Sequence, residues 1–120
     1  MNEKRHIRLF VDDPLKYAAS LVEKPGYEGI CALKTFFMFQ PDDILVDISR
    51  RTEQYIIREI ALFNIKDDRV RTDLALEMED ENLRAAGLVN CKDPEQIRRY
   101  LKDESPMVCR RAKEMLKAHS

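Results

Sequence analysis

The sequence is poor in glycine, lacks tryptophan and has no long apolar run. Its 120 residues include three glycines and no tryptophan, a composition that disfavours a turn-rich β fold. No long apolar stretch follows the charged residues at the start of the chain. Neither a secretory signal nor a membrane span is therefore predicted, and we expect a cytoplasmic protein.

Neither sign of charge dominates the composition. Lysine and arginine number 21 and aspartate and glutamate 22, for a net charge of -1, so no global field attracts nucleic acid or anionic lipid. The three cysteines, Cys31, Cys91 and Cys109, are odd in number and widely separated. This pattern is typical neither of a zinc site nor of a disulfide scaffold. We therefore expect reduced, mostly buried cysteines and no bound metal.

Two parts of the chain resemble each other at a spacing of 26 residues. Residues 62–68 are echoed by residues 88–94, and the pair at 57–58 by the pair at 83–84. Gly87 follows the second pair by three residues, and we expect it where one helix closely approaches its neighbour. Weaker copies extend the frame in both directions, to residues 31–39 and 108–116. The chain is thus predicted to contain an internal repeat.

Acidic residues and prolines mark helix starts at Asp13-Pro14, Pro41-Asp42, Asp67-Asp68 and Asp93-Pro94, and eight helices are predicted. They are placed at residues 14–24, 27–39, 42–50, 53–64, 68–78, 81–91, 94–103 and 106–118. Residues 79–82 form either a tight turn or a continuous helix. Successive helices pair as hairpins, whose wide apolar stripes need neighbouring hairpins to cover them. We predict one all-α domain over residues 1–120, with an N-terminal cap segment at residues 1–11.

Several motifs resemble HEAT-like helical repeats. They are residues 83–87, the pair Asp93-Pro94, and residues 103–108 followed by Ala112 and Leu116. The resemblance covers residues 53–118, and residues 12–52 weakly, and it implies a short right-handed α-α superhelix, an α-solenoid, of about four helical hairpins. Leucine-rich-variant repeats have a similar pattern, so both families stay open. Some of those hold an iron–sulfur cluster, but no comparable cysteine cluster occurs here, and no cofactor is expected.

Arg58 and Arg84 occupy the same position of the repeat and are candidate partner-binding residues. On the inner surface of a solenoid they would contact an acidic partner. The resemblance implies an alternative, structural role, in which each arginine bridges to the aspartate of a nearby turn, Asp67 or Asp93. Cys109 stands at this position in the last copy.

A basic run in the last two predicted helices supplies two further candidates, Arg110 and Arg111. Acidic residues are interleaved with this run, a mixture more typical of a solvated helical face than of a nucleic-acid site. We therefore expect contact with an acidic protein surface rather than with nucleic acid.

Four consecutive large apolar residues, at 36–39, are the strongest sequence signal for partner binding. One face of a helix cannot bury all four, so at least one should be exposed. The 26-residue frame aligns Phe39 with Ile65 and Cys91, which predicts that Phe39 is core. Phe36 and Phe37 then point elsewhere, and Phe37 is the predicted anchor for a partner or a second copy.

No catalytic set is recognised in the sequence. His6 and His119 lie near the ends of the chain, and the acidic residues at 77–81 lack the glycine of a calcium-binding loop. We predict no catalytic, cofactor-binding or metal-binding residues. The expected function is a non-enzymatic protein–protein interaction scaffold or adaptor, with another protein or a second copy as partner. The alternative is an enzyme or enzyme accessory on a HEAT-like scaffold, of the nucleic-acid base-processing or cofactor-lyase type.

Overall fold

The computed structural model describes residues 11–119, and this part of the chain is all-α, without strands. Its helices are α1 (Pro14–Val22), α2 (Tyr27–Met38), α3 (Asp42–Arg51), α4 (Tyr55–Asn64), α5 (Asp68–Leu76), α6 (Glu81–Ala86), α7 (Pro94–Arg98) and α8 (Pro106–His119). Each begins within two residues of its predicted start, which confirms the all-α fold class. The predicted cap segment, residues 1–11, lies outside the described residues except for Val11.

Aspartate side chains start four of the helices. Asp13, Asp67, Asp80 and Asp93 each accept a hydrogen bond from a main-chain N–H two or three residues later, at 2.7–3.1 Å. These bonds satisfy donors that the first turn of a helix leaves unpaired. Asp80 also decides between the two interpretations of residues 79–82, because its cap separates α5 from α6 by a turn.

Successive helices pack in pairs, as the hairpin prediction requires: α1 with α2, α3 with α4, α5 with α6, and α7 with α8. The contacts form two compact units, the first ending at Asn64 and the second beginning at Ile65. In the first unit α1 also packs on α3 and α2 on α4, and in the second α5 packs on α7 and α6 on α8. Within each unit, equivalent helices of the two hairpins therefore contact each other.

The core of the first unit draws on all four of its helices. Its most buried apolar side chains are Ala18, Leu21, Leu33, Phe36, Phe37, Leu45, Ile48, Ile57, Ile60, Ala61 and Leu62. On α2, Leu33, Phe36 and Phe37 have the spacing of one helical face. The rings of Tyr17 and Phe36 meet edge to face with their centroids 4.8 Å apart, an arrangement that aromatic pairs favour.

The core of the second unit surrounds Tyr100, which is fully buried. Its hydroxyl has no hydrogen-bond partner among the described residues, and burial raises its pKa. A Cβ atom added at Gly87 would lie 2.0 Å from the Tyr100 hydroxyl oxygen and 2.7 Å from the Cβ of Ala75. The close approach expected at Gly87 is thus confirmed, because no larger residue fits there without displacing a neighbour.

Candidate functional site

Arg58, on α4, binds the C-terminal end of α3. Its Nε donates to the carbonyl of Ser49 at 2.8 Å, and its Nη2 donates to the carbonyl of Thr52. The last carbonyls of a helix have no partner within the helix and carry partial negative charge. The half-buried guanidinium of Arg58 therefore stabilises the end of α3 through two of its donors.

Arg84, on α6, makes a similar contact in the second unit. It is 7% exposed, and its Nη1 donates to the carbonyls of Met78 at 3.3 Å and Glu79 at 2.6 Å, just beyond the end of α5. Its Nε and Nη2 also donate to the two carboxylate oxygens of Asp103, at 2.9 and 3.1 Å. The acidic partner is therefore Asp103 and not the predicted Asp93, whose side chain caps α7.

The two arginines contact equivalent carbonyls. Thr52 and Met78 each lie six residues before the arginine that binds them. The two hydrogen bonds are therefore related by the same 26-residue spacing as the two arginines. At the corresponding position of the last hairpin, the thiol of Cys109 donates to the carbonyl of Leu101 at 3.1 Å. A thiol is a weak donor, so this contact stabilises the turn less than an arginine would.

Asp103 is held in its charged form. Burial by itself would raise the pKa of this carboxyl, but hydrogen bonds from Arg84 and from the main-chain N–H of Ser105, together with the charge of Arg84, outweigh it and lower the pKa. Arg84 and Asp103 have side chains that are 9% and 4% exposed. Removing either partner would leave the other charge buried without compensation, which is costly.

A second buried arginine, Arg71, was not among the predicted residues. It is 2% exposed, and it donates to the carbonyls of Ile65 at 2.8 Å and Gly87 at 3.0 Å and to the carboxylate of Asp68 at 2.6 Å. The 26-residue repeat could have predicted the burial of Arg71, because the equivalent positions hold the buried residues Leu45 and Ile97. A charged residue in a core register indicates a buried polar network.

Asp68 ties the network of Arg71 to the start of the next hairpin. Besides Arg71, its carboxylate accepts hydrogen bonds from the main-chain N–H groups of Lys92 at 2.8 Å and Asp93 at 3.0 Å. Burial would raise the pKa of Asp68, but the bonds from Arg71 and from these two N–H groups lower it. One carboxylate thus links α5 to the segment that precedes α7.

The structure reverses the predicted roles of the aromatic residues at 36–39. Phe36 and Phe37 are fully buried, whereas Met38 and Phe39 are 55% and 59% exposed. The reason is a change of period: α2 and α4 begin 28 residues apart, whereas α4 and α6 begin 26 apart. This shift aligns Phe37, rather than Phe39, with buried Ile65. Phe36 and Phe37 are core, and their predicted exposure is wrong.

The remaining candidates, Arg110 and Arg111, lie on the exposed side of α8. The buried face of this helix carries Val108 and Ala112. Of the six predicted partner-binding residues, these two arginines alone are fully on the surface. Within the second unit, the hydrogen bonds of Arg84 described above go to Met78, Glu79 and Asp103 and not to these two arginines.

The expectation of mostly buried cysteines is met at one of the three positions. All three are unpaired, with Cys91 buried, Cys109 half-buried and Cys31 exposed. Burial raises the pKa of the Cys91 thiol, which keeps it in its less reactive form. Cys31 lies on α2 outside the face that packs into the core, so the expectation of burial is wrong there.

Among residues 11–119, no three histidine, cysteine or carboxylate side chains come together as a metal ion would require. None of the helices described in this range has both the length and the apolar character needed to cross a membrane. No protein-family model, curated protein or solved structure matches the chain.

Proposed function

We propose that this chain is a non-enzymatic module for binding other proteins. The observation that carries the proposal is the exposure of Met38 and Phe39, two adjacent large apolar side chains that are each more than half exposed. Single apolar residues on a surface are ordinary, whereas a contiguous apolar patch indicates an interaction surface. In this proposal Met38 and Phe39 belong to such a patch.

Further exposed apolar residues lie in the same unit. On α4, which packs on α2, Tyr55 and Phe63 are 45% and 38% exposed. Large apolar and aromatic side chains contribute most of the energy in protein interfaces. The first unit therefore offers a partner several such side chains, with Met38 and Phe39 as the proposed principal contact.

The use of the buried charged groups supports binding rather than chemistry. Arg58, Arg71 and Arg84 all donate to main-chain carbonyls, and Asp68 and Asp103 accept from arginine and main-chain N–H groups. These groups stabilise helix ends and connections. The proposed functional surface therefore consists of exposed side chains.

The proposed architecture is a HEAT-like stack of hairpins. It is supported by the equivalent bonds of Arg58 and Arg84 and by the caps of Asp67 and Asp93, which lie 26 residues apart. A cytoplasmic location is part of the proposal, because three unpaired cysteines, one of them exposed, persist best in a reducing compartment.

The proposal is tested with the variant Met38→Ser/Phe39→Ser. Its urea denaturation midpoint should match that of the wild type, because both side chains are on the surface. Affinity capture from cells, quantified by mass spectrometry, should recover a partner with the wild type that this variant loses. The control is Val89→Ser, which removes an apolar side chain that is 36% exposed in the second unit and should retain the partner.

Two results would contradict the proposal. Capture of the same proteins by all three chains would mean that Met38 and Phe39 contribute nothing to binding. An enzyme would be favoured by two observations together. The folded double variant would capture the same proteins as the wild type, and the purified wild-type chain would turn over a substrate. Sedimentation equilibrium of the purified chain measures its mass in solution and so distinguishes self-association from binding to a different protein.

A further inference from the structure

A groove in the second unit has both an apolar lining and a basic edge. It has a volume of about 450 Å³, is open to solvent, and is lined by Leu101, Lys113, Leu116 and Lys117. Leu101 follows α7, and the other three residues lie on α8. The two leucines are half-buried, so part of each apolar side chain remains available to an occupant.

The two charged residues that line this groove, Lys113 and Lys117, are both basic. At 3.6 residues per turn, Arg110, Lys113 and Lys117 lie along one flank of α8, next to Leu116. Glu114, the acidic residue of α8, lies four residues after Arg110 and three before Lys117, next to both on the helix surface, but it is not part of the lining. An occupant must therefore combine apolar side chains with negative charge.

Arg98, three residues before Leu101, is a further basic residue near this part of the second unit. The hydrogen bond from the N–H of Leu101 to the carbonyl of Arg98 is of the 3₁₀ type, in which side chains three residues apart lie above one another. Arg98 is exposed. A basic residue therefore also lies next to Leu101, outside the lining itself.

Because the groove is open on one side, it suits a helix better than a small molecule. A small molecule is bound tightly when a pocket covers most of its surface, and an open groove leaves one side uncovered. A helix suits this shape, because it buries one apolar stripe and keeps its polar face in water. Other common modes of peptide recognition need a free strand edge, aromatic walls or clustered arginine forks, whereas leucine and lysine line this groove.

We propose that the groove binds an acidic amphipathic helix from a partner protein. Leucine-like side chains of that helix would lie between Leu101 and Leu116, and its carboxylates would face Lys113 and Lys117. The site rests on the proposed function in that its occupant is a protein, but it uses residues of the second unit and is independent of Met38 and Phe39.

The probe is a synthetic helical peptide of about 15 residues, with leucines at i, i+3, i+4 and i+7 spacing and glutamates on its other faces. Fluorescence anisotropy with the full chain should give saturable binding that weakens as salt is added. Amide NMR signals of Leu101 and of residues 113–117 should shift on titration, and those of α2 should not. Two control peptides, with lysine for glutamate or serine for leucine, should bind at least about tenfold more weakly.

The matched variants are Lys113→Glu/Lys117→Glu and Lys24→Glu/Lys34→Glu, which change the net charge equally. The first should weaken peptide binding about tenfold or more, and the second, at exposed lysines of the first unit, should bind like the wild type. Lys113→Gln/Lys117→Gln, which avoids new repulsion, should give a smaller loss in the same direction. Circular dichroism and urea midpoints show whether each variant is folded.

Several results would overturn the groove proposal. These are the absence of saturable binding, equal binding of the lysine peptide, or an equal loss in the Lys24/Lys34 variant. Tighter binding to phosphatidylserine vesicles or to an RNA duplex than to the peptide would assign the basic flank to a different class of partner. Shifts at the same amides on concentrating the chain alone would identify a second copy as the occupant. Partner capture that still depends on Met38 and Phe39 would leave the proposed function intact in each case.

Discussion

Arg84 and Asp103 form a bidentate ion pair that joins α6 to the loop before α8. Both of its nitrogen–oxygen distances are near 3 Å, and both side chains are almost completely buried. The same guanidinium binds two carbonyls beyond the end of α5. One side chain thus connects three parts of the second unit, and its loss should affect all of them.

Removing either member of this pair should strongly destabilise the protein. Arg84→Met and Asp103→Asn each leave a buried group without its partner, and we expect a loss of about 3–5 kcal/mol in the free energy of unfolding. The double variant should lose less than the sum of the two single losses, because no unpaired charge remains. Urea denaturation of the four chains measures this coupling.

The control for that experiment is Arg51→Met. Arg51 pairs with Asp47 at 2.9 Å, but both side chains are more than half exposed, and water and salt screen such pairs so that they add little to stability. A loss at Arg51 as large as the loss at Arg84 would contradict the view that burial makes the second pair important.

Stability should fall as the solution becomes acidic. The pKa values of Asp68 and Asp103 lie below the ordinary value of 3.8 in the folded protein, so the unfolded chain takes up protons first as the pH drops. Their contribution is therefore complete above pH 3.8 and disappears as the pH falls through the folded pKa values. Urea denaturation at a series of acidic pH values should record this loss, and Asp103→Asn should show a smaller acid dependence.

Substitution of Gly87 should reveal the close approach beside Tyr100. Gly87→Ala should lower the free energy of unfolding by about 1–3 kcal/mol, because a Cβ there overlaps the hydroxyl of Tyr100 and the methyl of Ala75. Tyr100→Phe alone should be neutral or stabilising, since it removes a buried hydroxyl without a partner. In the double variant part of the loss should be recovered. Equal losses with and without the hydroxyl would place the strain at Ala75 instead.

Truncation of Phe37 should lower stability strongly, whereas truncation of Phe39 should have little effect. Phe37→Ala removes a fully buried ring and should cost about 3–5 kcal/mol of stability. Phe39→Ala acts on a largely exposed side chain and should stay within about 0.5 kcal/mol of the wild type. Thermal unfolding distinguishes the two, and a larger loss at Phe39 would restore the alignment of that residue with the core.

The helix starts were predictable because their signals are local. Asp67 and Asp93 each sit directly before a run of helix-forming residues, and a capping side chain reaches only two or three residues ahead. The repeated arginines were also visible in the sequence. Their main-chain acceptors were not, because any carbonyl of the chain is an equally plausible partner until the turn between two helices is known.

The exposed and buried members of the 36–39 segment were not predictable from the repeat. The helix α2 has 12 residues and α4 has 10, and an insertion of this size turns a different set of side chains toward the core. The groove of Leu101 and Leu116 was missed for a related reason. Leucines at helical spacing are usually core, and their partial exposure depends on how closely α7 and α8 approach.

The carboxylate of Asp68 binds N–H groups that lie 24 and 25 residues further along the chain, which has a consequence for folding during synthesis. A ribosome adds about 5–20 residues per second, so these partners follow Asp68 within a few seconds. Loop closure over such a short separation has a small entropic cost and favours rapid folding. The second unit can therefore assemble in the order in which its hairpins emerge, with Asp68 holding the start of α7 as soon as it appears.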